Sequence, residues 1–97
     1  MGKYVLVYKG GGIAPTEEEQ QRVMAAWGAW FQGLGDAVVD MGNPFGASSG
    51  VNGGGTSGLT GYSIISADGL DDAAGRASSC PILEGGGSVE VYETIEM

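Results

Sequence analysis

The sequence predicts an α+β domain with the element order β-α-β-β-α-β. Two segments carry apolar residues at helical spacing, and four segments are rich in β-branched and aromatic residues. Glycine- and proline-rich stretches separate these segments. A length of 97 residues suits one domain over residues 1–97. We therefore expect a four-stranded, mainly antiparallel sheet with both helices on one face.

The first strand is predicted over residues 3–9, and both of its faces are apolar. Alternation separates the side chains of Tyr4, Leu6 and Tyr8 from those of Val5 and Val7. Because the two helices cover only one face of the sheet, the other face is too apolar to be left in water. The simplest remedy is a second copy of the chain, so the sequence predicts a homodimer formed through the open sheet face.

The first helix is predicted to follow Thr16, with Glu19 three residues later as its capping-box partner. Glycines at positions 33 and 35 are expected to end it with a left-handed cap. Its apolar residues form one stripe, which should pack on the sheet: Val23, Met24, Trp27, Trp30, Phe31 and Leu34.

The remaining elements follow in the order strand, loop, strand, helix and strand. Their predicted spans are residues 37–41, 45–60, 61–67, 68–80 and 88–96. Pro44 should stop the pairing of the second strand, and Asp68 should cap the second helix. The loop is rich in Gly and Ser, so we expect it to be flexible and able to act as a lid.

The charge balance argues against polyanionic partners. Four Lys and Arg residues face twelve Asp and Glu residues, a net charge of −8, and the cations are scattered. Neither nucleic acid nor an anionic membrane surface is an expected partner. No apolar run is long enough to span a membrane, and no signal peptide is recognisable, so a cytoplasmic location is expected. Cys80 is the single cysteine, so an intrachain disulfide is excluded.

The chain contains no histidine, which removes several common chemistries. Histidine-activated nucleophiles, histidine-bound metals and imidazole bases are excluded within the chain, and neither a metal nor an organic cofactor is expected. The G-x-S-x-G match at residues 46–50 and the G-x-G-x-x-G match at residues 53–58 lack the strand-to-helix context that gives such motifs a function.

Three carboxylates are the candidates for a catalytic base: Asp36, Asp40 and Glu93. Asp40 ends the second strand close to Asn43, where it could accept a ligand hydrogen bond or simply be solvated. Glu93 shares a strand face with apolar residues, which indicates a bulge or a pocket carboxylate. The two tryptophans could be core residues, the wall of an apolar pocket, or both.

The assembled pattern resembles the YCII-related family, which includes relatives named for a DGPF motif. The likeness lies in the order and spacing of several segments: residues 3–8, 27–46, 61–64, 67–68, 80–81 and 85–92. It implies a ferredoxin-like subunit, dimerisation into a dimeric α/β barrel, and a pocket between the first helix and the sheet. Some members carry a His-Asp pair proposed as an active site, with the histidine on the first helix. This helix has no histidine, and Gly42–Gly46 stands where the DGPF motif is expected.

The leading prediction is therefore a homodimer that binds a small apolar or amphipathic ligand. The expected ligand-binding residues are Trp27, Trp30, Asp40, Asn43 and Tyr62. The alternative is a cofactor-free enzyme of the isomerase or monooxygenase type, with an Asp or Glu base and Tyr62 or Tyr8 as proton donor. A third possibility is a structural module that binds another protein.

Overall fold

Four strands and two helices follow one another in the predicted order. The computed structural model describes residues 2–10, 16–51, 53, 56, 58–84 and 86–95. The elements are β1 (Gly2–Lys9), α1 (Glu17–Leu34), β2 (Val38–Asp40), β3 (Leu59–Ala67), α2 (Leu70–Ala77) and β4 (Ser88–Glu93). Short 3-10 turns occupy Gly35–Ala37 and Pro81–Leu83. The glycine- and proline-rich positions 11–15 and 85 lie outside the described residues. The last strand is shorter than the predicted span of 88–96, because β4 ends at Glu93 and residues 94 and 95 are not part of it; residue 96 lies outside the described residues.

The strands form one sheet in the order β2-β3-β1-β4, and each neighbouring pair is antiparallel. In the middle of the sheet, Leu6 of β1 lies opposite Ser63 of β3 and Val91 of β4. Each helix connects two strands that are separated by one other strand, which is the split β-α-β arrangement. The predicted ferredoxin-like α+β fold is confirmed.

The core lies between the sheet and the two helices. Leu6 and Ile65 are completely buried on the inner sheet face, and Trp30 from α1 and Ala73 from α2 pack against this face. On the outer face, residues such as Val7 and Ile64 remain partly exposed. The helices therefore cover one face of the sheet, as predicted. Within the described part of the chain, neither helix is long and apolar enough to cross a membrane.

Helix α1 begins as its sequence indicates, since the backbone N–H of Glu19 donates to the Thr16 hydroxyl oxygen at 3.1 Å. It ends at Gly35, as expected, but the predicted left-handed cap is wrong: Gly35 has a φ of 55° and a ψ of −126°, which lies outside the left-handed helical region, and Gly33 belongs to the helix. The apolar stripe of the helix is only partly packed. Val23 and Met24, however, are 44% and 74% exposed. The prediction that the whole stripe packs on the sheet is wrong for these first turns, because a cavity separates this end of α1 from the sheet.

Strand β2 is shorter than predicted, and a bulge follows it. Gly42 has a φ of 77°, and a Cβ there would lie 1.7 Å from the Tyr62 carbonyl oxygen, so only glycine fits. Pairing resumes at Pro44 opposite Gly61, and the Phe45 N–H donates to the Thr60 carbonyl at 2.9 Å. The prediction that Pro44 ends the pairing is wrong, since an edge strand tolerates a residue without an N–H.

The predicted cap of α2 is also wrong. The cap residue is Gly69, which makes no side-chain hydrogen bond, and the Asp68 N–H instead donates to the Asp72 carboxylate at 3.0 Å. This bond, together with nearby Arg76, holds the pKa of Asp72 below its ordinary value. The carboxylate that stabilises the start of α2 therefore comes from inside the helix.

Candidate functional site

A cavity of about 570 Å³ lies between α1 and the inner face of the sheet. Small-molecule sites in proteins typically measure about 300–1,000 Å³, so this volume is sufficient for a ligand of one or two rings. The helix contributes Met24, Trp27, Gly28 and Phe31, which share one face at i, i+3, i+4 and i+7 spacing.

The opposite wall is built by the sheet and by the bulge that follows β2. Tyr8 of β1 and Gly61 and Ser63 of β3 face the helix, and residues 41–44 and Ile82 add further contacts. The bulge at Gly42 therefore helps to shape the cavity, because it determines the path of residues 41–44 along the cavity wall.

Aromatic rings dominate the helix side of the cavity. The ring centroid of Trp27 lies 5.2 Å from that of Tyr8 and 5.7 Å from that of Trp30, both in edge-to-face geometry. Phe31 lies 6.0 Å from Trp27 and 4.9 Å from Trp30. Such contacts contribute roughly 0.5–1.5 kcal/mol each beyond the area they bury. The Trp27 side chain is thus held in place although it is only partly buried.

Two hydroxyl groups form a hydrogen-bonded chain in the cavity wall. The Tyr8 hydroxyl donates to the Ser63 hydroxyl oxygen at 2.7 Å, and the Ser63 hydroxyl donates to the Met41 carbonyl at 2.7 Å. Burial raises the pKa of Tyr8 to about 12, against a smaller opposing effect of the Ser63 hydrogen bond. Tyr8 is therefore a neutral phenol at physiological pH.

The sequence analysis missed the role of Ser63, although a signal for it was present. Alternation places Ser63 on the same strand face as Ile65 and Ala67, which makes it a polar residue at a core position. Such a residue requires a buried partner. The identity of the partner depends on the pairing of β3 with β1 and on the bulge, neither of which the pattern of one strand reveals.

The other polar residues described in the cavity lining are neutral. The Thr60 hydroxyl lies 3.2 Å from the Tyr8 carbonyl and 3.4 Å from that of Gly10, and Asn43 lies at the exposed edge. Among the described residues that line the cavity, none is charged. A neutral molecule is the occupant that such a surface accommodates at least electrostatic cost.

The five predicted ligand-binding residues separate into two groups. Trp27, Asn43 and Tyr62 border the cavity, and the Tyr62 ring also stacks on Phe45. Trp30 and Asp40 are not among the described lining residues.

Trp30 is a core residue, only 8% exposed, whose indole N–H lies 3.2 Å from the Arg76 carbonyl and 3.1 Å from the Ser79 hydroxyl. The exposed Asp40 carboxylate accepts hydrogen bonds from the Gly42 N–H at 2.8 Å and from the Tyr62 hydroxyl at 3.4 Å. Asp40 therefore stabilises the bulge.

The three candidate bases are exposed and lie apart from one another. Asp36 lies in the turn after α1, Asp40 ends β2 and Glu93 ends β4; none of the three lines the cavity. Within the described part of the chain, no cluster of three acidic or cysteine side chains is placed to hold a metal ion. Of the described loop residues between 45 and 60, Thr60 alone lines the cavity. A lid role for the loop stays a prediction.

Fold and cavity together define a ferredoxin-like α+β domain with a helix–sheet pocket. The chain matches no protein-family model and no curated protein. Its structure is similar to that of 5-chloro-2-hydroxyhydroquinone dehydrochlorinase (TftG) from Burkholderia phenoliruptrix AC1100, solved in complex with 2,5-dihydroxybenzoquinone. The two are 18% identical, with a TM-score of 0.59 over 97% of this chain and 95% of that chain. This likeness establishes a shared fold.

Proposed function

We propose that this protein binds a small, neutral aromatic or amphipathic molecule in the cavity between α1 and the sheet. The observation that carries the proposal is the cavity itself, which measures about 570 Å³ and has an aromatic wall and no charge on its described lining residues. Trp27 would stack against the ligand, with Asn43 and Tyr62 at the edge of the site.

Charge and volume both narrow the class of ligand. The chain carries a net charge of −8, and no described cation lines the cavity, so anionic ligands are disfavoured. The bound molecule in the similar structure, 2,5-dihydroxybenzoquinone, is a single ring of the size that such a cavity accommodates. The enzymatic alternative uses an Asp or Glu base, and the described residues that line the cavity include no carboxylate. Ligand binding is therefore the function that the geometry supports best.

Two glycines of α1 offer a matched test of the site. Gly28 lines the cavity and Gly33 does not, and a Cβ at either position would meet no atom within 4 Å. Gly28→Phe should fill the cavity and weaken the binding of naphthalene at least tenfold, because the new ring occupies the ligand volume. Gly33→Phe changes helix propensity in the same way and should leave the affinity unchanged.

Isothermal titration calorimetry with naphthalene, supported by NMR chemical shifts of the two indole N–H groups, measures this difference. Absence of binding to the wild type, or equal weakening by both substitutions, would refute the proposed site.

We further propose that the chain forms a homodimer through the outer sheet face, in the manner of a dimeric α/β barrel. Partly exposed Val5, Val7 and Ile64 occupy the middle of this face. Polar pairs flank them, with Lys9 Nζ lying 2.7 Å from the Glu90 carboxylate on one side and Tyr62 bonded to Asp40 on the other. An apolar centre within a polar rim is the usual composition of a subunit interface.

The dimer can be tested by sedimentation at micromolar concentration. The wild type should sediment at about twice the chain mass of 9.8 kDa, and Val7→Glu should produce a monomer because it places a charge in the apolar centre. Val23→Glu, at an exposed position of α1, is the control and should remain dimeric. A wild-type protein that sediments only as a monomer would exclude this assembly.

We also propose that the chain is a member of the YCII-related family and that the protein is cytoplasmic. The family is supported by the order of the segments together with the fold that they form. For the location, the relevant observation is that the single cysteine of the chain, Cys80, is buried and unpaired. An inert free thiol is compatible with a reducing compartment.

A further inference from the structure

In the cavity wall, the acceptor-only carbonyl of Met41 determines which group donates in each hydrogen bond of the Tyr8–Ser63 pair. The Met41 carbonyl can only accept, so the Ser63 hydroxyl must donate its proton there. Ser63 then has no proton for its contact with Tyr8, so the Tyr8 hydroxyl must donate to Ser63. The protons of both hydroxyl groups are therefore used within the protein.

The other hydroxyl groups near the cavity also use their protons within the protein. The Thr60 hydroxyl is placed to donate to the carbonyls of Tyr8 and Gly10. The Tyr62 side chain shares the outer sheet face with Val7, and its hydroxyl donates to the Asp40 carboxylate. Among the described lining residues, the side chains with N–H groups are Asn43 and Trp27. The wall formed by Tyr8 and Ser63 retains only oxygen lone pairs. A ligand atom that meets this wall must itself donate a hydrogen bond or leave those lone pairs unpaired.

We propose that the Tyr8–Ser63 pair makes the cavity selective for ligands that carry a neutral hydrogen-bond donor, such as a phenolic hydroxyl group. The inference rests on the proposed function and adds a specificity rule to it. Both residues are deeply buried, at 5% and 1% exposure, so an unmatched ligand group there has little access to compensating water. Burial raises the pKa of Tyr8 to about 12, so at physiological pH its hydroxyl keeps the proton that it donates to Ser63.

Three ligands that share the naphthalene ring test the rule on the wild-type protein: 2-naphthol, naphthalene and 2-methoxynaphthalene. One neutral hydrogen bond contributes about 1 kcal/mol, which corresponds to roughly fivefold in affinity. Calorimetry should therefore show 2-naphthol binding about fivefold or more tightly than 2-methoxynaphthalene, with naphthalene no tighter than 2-naphthol.

Ser63→Ala provides the second arm, because it releases the Tyr8 proton. That variant should lose the preference for 2-naphthol and gain affinity for 2-methoxynaphthalene, since Tyr8 can now donate to the ether oxygen. Ser63→Thr keeps the hydroxyl and should restore the wild-type order. Circular dichroism confirms that each variant is folded, and the wild-type comparison stands without them.

The possible outcomes separate the two proposals. If none of the three ligands binds the wild type, the proposed binding function is wrong. If naphthalene binds but 2-naphthol and 2-methoxynaphthalene bind equally well, the binding function stands and the donor rule is overturned. A Ser63→Ala variant that keeps the full wild-type preference for 2-naphthol would also overturn the rule.

Discussion

Trp27 and Trp30 lie one turn apart on α1, yet they occupy different environments. Trp30 is buried, and its indole N–H faces two oxygen acceptors at the end of α2. Trp27 is only partly buried and borders the cavity, where it meets Tyr8 edge to face. Within one turn of α1, the environment thus changes from a closed part, where the core buries the helix face, to an open part, where the helix face borders the cavity.

The difference shows how a small domain can combine stability with an accessible site. At Trp30, α1 is tied to the segment after α2 by hydrogen bonds and by the Cys80 region of the core. At Trp27, the sheet lies across a cavity, and the indole is held by aromatic contacts with Tyr8, Trp30 and Phe31 and by partial packing against the core. We therefore expect substitutions near Trp30 to act on stability, and substitutions near Trp27 to act mainly on binding.

The largest effect is expected for Trp30→Ala. Removal of a buried tryptophan costs roughly 3–5 kcal/mol of unfolding free energy, a large share of the stability of a domain this small. Urea unfolding followed by circular dichroism should show a largely unfolded or strongly destabilised protein. A decrease in unfolding free energy of less than about 1 kcal/mol would mean that Trp30 is not an important packing residue of the core.

The next effect concerns Tyr8, which contacts Trp27, and it depends on pH. The pKa of Tyr8 is about 12 in the folded protein against an ordinary value of 10.0, so folding favours the neutral phenol. This contribution is complete below pH 10 and is lost as the pH rises from 10 toward 12. The loss amounts to at most roughly 2–3 kcal/mol.

Tyr8→Phe removes this titrating group and supplies the control for the pH experiment. Urea unfolding at about pH 9 and about pH 11.5 should show a smaller loss of stability in the variant than in the wild type. The Cys80 thiol, with its pKa raised by burial to about 11, titrates in both proteins, so burial of this thiol affects both pH profiles. Identical pH profiles would show that Tyr8 is not buried as a neutral phenol.

Trp27→Ala should cost less stability than Trp30→Ala because Trp27 is partly exposed already. We expect a loss of roughly 1–2 kcal/mol, together with a loss of naphthalene binding of tenfold or more. Chemical unfolding and calorimetry measure the two effects separately. Equal destabilisation by the two tryptophan substitutions would remove the distinction between the closed and the open part of α1.

The smallest effect is expected for Ser79→Ala, which tests how firmly Trp30 is held. The indole N–H keeps the Arg76 carbonyl as an acceptor at 3.2 Å after the Ser79 hydroxyl is removed. The unfolding free energy should therefore fall by less than about 1 kcal/mol, with no change in naphthalene affinity. A larger loss would show that the Arg76 carbonyl cannot satisfy the indole alone.

Much of the fold was predictable because its signals are local. The start of α1 needs only Thr16 and the backbone of the next turn, and alternation along β1 identifies both of its faces. The errors occurred where a partner distant in the sequence decides the outcome. Pro44 stays paired because β2 is an edge strand. At α2, the N-cap residue is Gly69, and the Asp72 carboxylate accepts a hydrogen bond from the backbone N–H of Asp68.

The candidate site was predictable only in part, for the same reason. The sequence pattern predicts that Trp27 and Trp30 both lie on the apolar stripe of α1. It therefore does not distinguish the tryptophan that borders the cavity from the one in the core. The packing of the α2 end against Trp30 separates the two, and that contact joins positions 46 and 49 residues apart.

The element order, the start of α1 and the presence of two apolar sheet faces follow from the amino-acid sequence, since each depends on spacing and local backbone preference. The tertiary structure alone decided that α1 covers the sheet incompletely, that Tyr8 and Ser63 direct their protons away from the cavity, and that Asp40 serves the bulge. These features depend on strand register and on the separation of helix and sheet, which arise only when distant segments pack together.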